Sequence, residues 1–339
     1  MEFVDGYDHQ PGDHCGAATL RNVTAHYGLD YSEAACFGIG GGPAFVLYDH
    51  PDEPWVTFRT SPTWLERAFF ERLGISHLHR QGDDLETAWE NATDHVDDDD
   101  PVILFLDPEP LEYLPERPMH LPPHVVALVG YDDETVEFSD PTMENRQEIP
   151  RSTLEDAWSH DRFLSLEHES LVVTRSGRTG DETDAIAAGI RQAATYALDP
   201  LAVKRDARGP GEEGLPALRS FADYVGQWTD LPEPAQPVRA ARRGIDEHGD
   251  GTAYRGLYAD ALEELGQRVD LAPDVADRMD RVASTWETVS QRFGDILEAE
   301  EPQPAHFEEA ASLVGDVADR EEEIFRELRD ALGPTDGGE

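Results

Sequence analysis

The spacing of apolar residues changes once along this 339-residue chain, near Arg175, and that change constrains the fold most. Before it, helical spacings alternate with short apolar runs of strand type. After it, the apolar residues recur at helical spacing throughout. Such a chain is expected to fold as an α+β half followed by an all-α half, with boundaries at residues 1–175 and 182–333.

In the first half, Gly16 to Tyr27 reads as a helix stopped by Gly28. Ser61 to Leu73 reads as another, with Ser61 as its cap and Pro62 in its first turn. Leu85 to Val96 is a third. Val102 to Leu106 is a continuous apolar run and hence a buried strand. His124 to Tyr131, a turn at Asp132-Asp133-Glu134 and Thr135 to Ser139 form a hairpin. Leu171 to Thr174 is a last strand, and Ser176 to Asp181 a linker. Beyond it, Thr252 caps a helix carrying Tyr254, Leu257, Tyr258, Ala261, Leu262 and Leu265. Two heptad-like helices follow. One carries Val275, Met279, Val282, Trp286, Val289, Phe293 and Ile296. The other carries Phe307, Ala311, Val314, Ala318, Phe325, Leu328 and Leu332, interrupted by Glu321. The short connection from Glu298 to Pro304 favours pairing within the chain over a homodimer seam.

Seventy-two acidic residues against 27 basic ones give a formal net charge of −45. Lys204 is the single lysine. The acids are spread along the whole length, as in a protein kept soluble in high salt, so a halophilic source is expected. Charge of this sign disfavours nucleic acid and anionic membranes as partners. No apolar run reaches the ~20 residues of a membrane span. The start, Met1-Glu2-Phe3-Val4-Asp5, lacks a secretory pattern, so a cytoplasmic location with reduced thiols is expected.

Cys15 lies directly ahead of the first expected helix. A helix start stabilises a thiolate, which is the nucleophilic form. A nucleophilic thiol needs a base and a group that orients the base. The hairpin offers both. With the turn centred near Asp133, Asp140 falls opposite Val126, and His124 lies one diagonal step away on the same face, roughly 7 Å between Cβ atoms. A one-residue slip would put them on opposite faces. Each residue taken alone has a plainer reading: Cys15 as a small buried residue, Asp140 before Pro141 as a strand terminator. Cys36 is expected in the core.

Other readings are weaker. His120 is a rival base. His9, His14, Cys15 and His124 lack metal-type spacing, so no metal is expected, and nothing calls for a cofactor. Gly38 to Gly42 lacks the order of a phosphate loop, and its glycines, Gly40, Gly41 and Gly42 among them, are expected to line a substrate site or the nucleophile helix. An oxyanion would be held by the Cys15 main-chain N–H with Gln10, or else His14, as side-chain donor.

His14-Cys15-Gly16, Leu20-Arg21-Asn22, Tyr27-Gly28-Leu29 and Phe37 to Gly42 resemble the N-terminal signature of the butirosin-biosynthesis BtrH family. So do His124 to Asp132 and Ser139-Asp140-Pro141. Gly244 to Asp246, Gly249-Asp250-Gly251 and Tyr254 to Tyr258 resemble the helical domain of unknown function that follows in that family. The resemblance implies a papain-like cysteine-protease fold with an antiparallel sheet, related to bacteriocin-processing peptidases. It implies an acyltransferase that moves an aminoacyl group from an acyl-carrier-protein thioester to a small-molecule amine, as in secondary-metabolite biosynthesis. Cys15 would be the nucleophile, His124 the base and Asp140 its orienter. Gln10 departs from the papain-type pattern, standing five residues before the cysteine where six is usual. Peptide or amide hydrolysis with the same triad and a catalytically inactive binding protein are the alternatives.

Overall fold

The computed structural model describes residues 2–48, 55–114, 123–159, 167–203 and 211–333. The chain forms two compact units. The first is Met1–Cys36 with Ser61–Glu182, the second Phe37–Thr60 with Thr183–Glu339. Residues 37–60, expected in the N-terminal half, therefore fall in the unit of the C-terminal half. The crossing point lies inside the helix Glu33–Gly40.

The first unit is built on a seven-stranded antiparallel sheet. Its order is Ile75–Arg80, Ser170–Arg178, Val102–Leu106, His124–Tyr131, Thr135–Ser139 and Gln147–Pro150, with Glu2–Phe3 pairing the far end of His124–Tyr131. Val102–Leu106 and His124–Val129 are buried throughout, as their unbroken apolar sequence requires. The helices Cys15–His26, Trp64–Leu73, Leu85–Asp97 and Arg151–Trp158 belong to this unit. Cys15–His26 packs on the His124 strand and on the helix Trp64–Leu73, and its Ala17, Ala18, Leu20 and Val23 are fully buried. Cys36 is also fully buried.

Two pairings fix the central register. Leu106 faces His124 and Val102 faces Leu128 in one ladder. In the other, Tyr131 faces Val136 and Gly130 faces Glu137, but Leu128 faces Phe138 and Ala127 faces Ser139. Val129 is thus an extra, bulged residue, and its carbonyl accepts the Val4 N–H at 2.9 Å.

Several local expectations shift. Ser176 to Arg178 are strand rather than linker, because Ser170–Arg178 runs alongside Ile75–Arg80 as far as Arg178 opposite Ile75. Ser61 does not cap the second helix. That helix begins at Trp64 after Thr63, whose φ of 69° and lack of a side-chain cap bond make an unusual start. Thr252 accepts the Gly256 N–H at 3.1 Å, but the turn ahead of the helix Arg255–Gly266 is organised by Asp250, which accepts the Thr252 and Tyr254 N–H groups.

The second unit is helical, with a three-stranded sheet of Glu212–Glu213, Pro43–Tyr48 and Trp55–Arg59 added. Its helices include Glu182–Leu198, Gly214–Gln227, Ala235–His248, Arg255–Gly266, Val275–Glu298 and Pro304–Leu332. The last two pack on each other, as the heptad spacing predicts. Glu321, which interrupts the seam, is buried and receives a bidentate pair from Arg255, at 2.8 and 3.1 Å. The same guanidinium donates to the carbonyls of Ala44, Phe58 and Ala253. One arginine thus ties both strands of the Pro43–Arg59 hairpin to the helical core, which explains why this segment leaves the first unit.

Candidate active site

Cys15 is the first residue of its helix. The preceding His14 is the N-cap. Its Nδ1 accepts the Ala17 N–H at 3.1 Å, an unusual use of an imidazole. Glu33 supports the same turn, its Oε1 accepting the N–H groups of Asp13 at 3.0 Å and His14 at 2.6 Å. Burial pushes the Glu33 carboxyl up, against the pull of the His14 amide and Arg21.

The buried Glu66 reaches this start from the neighbouring helix. A methyl group on Gly16 would stand 2.0 Å from Glu66 Oε1 and 3.4 Å from His14 Cε1. Glycine at position 16 is therefore what admits that carboxyl to the first turn.

Continuing the pairing of Ala127 with Ser139 puts Asp140 opposite Val126, as the sequence predicts, and His124 on the same face. His124 Nε2 lies 2.7 Å from Asp140 Oδ2. That leaves Nδ1 as the ring nitrogen for sulfur, and the Cys15 thiol is a hydrogen-bond partner of the ring. Cys15, His124 and Asp140 are 8%, 5% and 0% exposed, so the three lie together at the edge of the core.

Asp140 is fully engaged. Tyr113 donates its hydroxyl to Oδ2 at 2.9 Å, while Thr142 donates its N–H at 3.0 Å and its hydroxyl at 2.7 Å to Oδ1. Burial alone would raise this carboxyl. The His124 charge and the Thr142 donors reverse that and hold it at about 2. Burial alone would likewise lower the His124 imidazole; Asp140, then Cys15, drive it up to about 10. The ring is thus held as imidazolium beside a carboxylate.

Two further bonds tie the cysteine helix to these strands. Thr19 donates its hydroxyl to the Val125 carbonyl at 3.4 Å, and the Gly12 N–H donates to the Pro141 carbonyl at 2.7 Å. One tether follows His124 and the other follows Asp140.

The remaining candidates have bonds of their own. The exposed Gln10 turns its amide to Asp8 at 3.1 Å, and its carbonyl accepts from Arg21 and Asn22. His9 bridges the Ser139 hydroxyl and the Met143 carbonyl. His120 lies outside the described residues. Gly40, Gly41 and Gly42 belong to the second unit, where they end the helix Glu33–Gly40. Gly41 has φ 75°, its N–H donates to Gly38, and the Gly42 N–H donates to Phe37. That pattern of bonds is the usual reason for glycine after a helix. Among the described residues, no group of three or more His, Cys, Asp or Glu could hold a metal ion. No helix there is long and apolar enough to cross a membrane.

Sequence reasoning missed Tyr113 and Thr142. Asp-Pro-Thr at 140–142 carries a signal for Thr142, since an aspartate commonly accepts from the residue two positions on. Tyr113 sits between elements and carries none.

A cysteine opening a helix that packs on an antiparallel sheet, with its histidine and aspartate on adjacent strands, is the papain-like arrangement. No curated protein matches the chain. A solved structure described as a C39-like peptidase from Bacillus anthracis is 15% identical over 52% of this chain and 98% of its own, with a TM-score of 0.37. Residues 14–141, which include Cys15, His124 and Asp140, match butirosin biosynthesis protein H, N-terminal. Residues 152–328 match a domain of unknown function, DUF4872. The second match takes in just over half of the chain, and the chain belongs to that DUF4872 family, with the butirosin biosynthesis protein H N-terminal domain ahead of it.

Proposed function

We propose that the protein is an acyltransferase working through an acyl-Cys15 thioester. The observation that carries this is the 2.7 Å pairing of His124 with Asp140 on a ring whose other partner is the thiol of Cys15. The family's name, taken from a biosynthesis protein, favours transfer over breakdown.

In this reading the Cys15 thiolate attacks the carbonyl carbon of a donor thioester, such as an acyl carrier protein would present. The donor sulfur leaves and takes the proton held on His124. An amine then attacks the acyl-Cys15 carbonyl and gives its proton to His124, and Cys15 leaves as thiolate. Asp140 fixes the ring and stabilises its charged form. The Cys15 main-chain N–H faces the developing oxyanion; Gln10 would join it only by turning away from Asp8, and the His14 ring, used as a cap, is the poorer donor. Hydrolysis would use the same residues with water in place of the amine.

The test is intact-mass analysis after exposure to an acyl-N-acetylcysteamine thioester, with and without small amines. The expected result is one acyl group on the wild type, none on Cys15→Ala, and amide product on adding amine. Free acid alone would make the protein a hydrolase. Acylation of Cys15→Ala would sink the reading altogether.

A further inference from the structure

Residues 10–14 lead into Cys15 without forming helix or strand, yet their main-chain polar groups are taken up one by one. Arg21 Nη2 donates to the Gln10 carbonyl at 2.6 Å and to the Pro11 carbonyl at 2.9 Å, and Asn22 Nδ2 donates to the Gln10 carbonyl at 2.9 Å. The Gly12 N–H is held by the Pro141 carbonyl. Glu33 Oε1 accepts the next two N–H groups, those of Asp13 and His14. Its Oε2 lies 3.4 Å from Arg21 Nη1, so the acid and the arginine brace each other, with side chains 11% and 17% exposed. A methyl group on Gly12 would stand 2.3 Å from Glu33 Oε2 and 2.6 Å from Ala18 Cβ. The carboxylate and the cysteine helix thus close on this segment together.

These bonds fix two successive peptide planes. A trans peptide points its N–H and its carbonyl in opposite directions. The His14 carbonyl accepts the Ala18 N–H at 2.9 Å and so points along the helix. The Cys15 N–H, in the same peptide, therefore points back out of the helix start. Glu33 holds the plane before it, between Asp13 and His14. His14 is extended, with φ −110° and ψ 110°, and rotation of the earlier plane would pass through it to the Cys15 N–H. Asp13 is exposed, and water could meet its N–H. A braced carboxylate is the stiffer partner.

We infer that Glu33, braced by Arg21, is a positioning residue that aims the Cys15 main-chain N–H at the oxyanion. This role rests on the acyl-Cys15 reading above. A preorganised donor lowers the barrier only when it is aimed before charge develops, so Glu33 acts on acylation and not on the thiol itself.

The test compares two reactions of Cys15 in the full chain, each followed by intact mass. Acylation by acetyl-N-acetylcysteamine passes through a tetrahedral oxyanion. Alkylation by iodoacetamide displaces iodide in one step and forms none. In Glu33→Ala, acylation is expected to slow about tenfold or more while alkylation stays within about twofold of the wild type. Arg21→Met is expected to show the same split, and it carries the test alone if a thermal melt finds Glu33→Ala unfolded. Glu155→Ala, which removes an acid paired with Arg151 in the same unit, is expected to leave both rates unchanged. Unchanged acylation, equal slowing of both reactions, or the same split in Glu155→Ala would overturn the inference while leaving acyl transfer standing. A wild type that is alkylated but takes no acyl group would sink the acyltransferase reading and this role with it.

Discussion

Tyr113 donates its hydroxyl to Asp140 Oδ2, the same oxygen that meets His124 Nε2. The carboxylate is thereby held from the side opposite Thr142 Oγ1, which binds Oδ1. Tyr113→Phe is expected to cost about 1 to 2 kcal/mol of stability and to slow Cys15 acylation a few-fold, since the carboxylate keeps its charge and its Thr142 donors. Asp140→Asn is expected to slow acylation on the order of a hundredfold or more, since it removes the charge that sustains the imidazolium. Single-turnover acylation rates, read beside chemical denaturation, separate the two effects.

The thiol should report this charge directly. An ordinary cysteine is alkylated about tenfold faster per pH unit below its pKa of about 8.5. With His124 raised to about 10, Cys15 is expected to react with iodoacetamide at a nearly constant rate from about pH 6 to pH 9. His124→Gln should restore the ordinary slope. A wild-type profile that climbs like a free thiol would refute the ion-paired site.

The same pair sets a stability window. The folded-state pKa of His124 is raised from 6.5 to about 10, so its contribution is complete below pH 6.5 and lost as pH rises through about 10. That of Asp140 is lowered from 3.8 to about 2, so its contribution is complete above pH 3.8 and lost as pH falls through about 2. Melting temperatures of wild type and His124→Gln should therefore differ most near pH 5 and converge toward pH 10.5.

Gly16→Ala would drive a methyl group against Glu66. The expected cost is about 1 to 3 kcal/mol, with slower acylation because the strain falls on the residue after Cys15. Adding Glu66→Ala should recover part of that loss. A double-mutant cycle by urea denaturation measures the coupling, and additive effects would mean the two sites do not touch.

In the second unit, Glu321→Gln leaves the buried Arg255 without its counter-charge. The expected loss is about 3 to 5 kcal/mol, read by urea denaturation and by faster proteolysis within the Pro43–Arg59 hairpin. Arg255→Met should cost at least as much, because Ala44 and Phe58 also lose a donor.

What the sequence made legible follows from locality. The hairpin bearing His124 and Asp140 is a local structure with an alternating face; a count centred on Asp133 puts both residues on one face, although the turn itself is centred half a residue further on and the bulge at Val129 makes up the difference. The heptad helices announce themselves by spacing alone. The hairpin Pro43–Arg59 does not, because its place depends on Arg255, which lies 211 residues beyond Ala44, and on Glu321, a further 66 residues on. Glu321 looks like a flaw in the heptad until its partner is known. The strand Ile75–Arg80, reading Ile-Ser-His-Leu-His-Arg, is too polar to stand out, and it exists because Ser170–Arg178 pairs with it. Tyr113 reaches Asp140 only through tertiary folding.

The bulge at Val129 resolves a mismatch of parity. Counted in an unbroken ladder from the pairs beside its turn, Gly130 with Glu137 and Tyr131 with Val136, this hairpin would set Asp140 opposite Ala127, on the face away from His124. The turn is of one parity and the site of the other, so one residue between them has to go uncounted. Val129 is that residue. Lying on the turn side of Leu128, it leaves the ladder from His124 to Leu128 continuous against Val102–Leu106, and its carbonyl is taken up by Val4. The irregularity is thus confined to the turn end of the hairpin, and the end that carries His124 and Asp140 inherits an undistorted sheet.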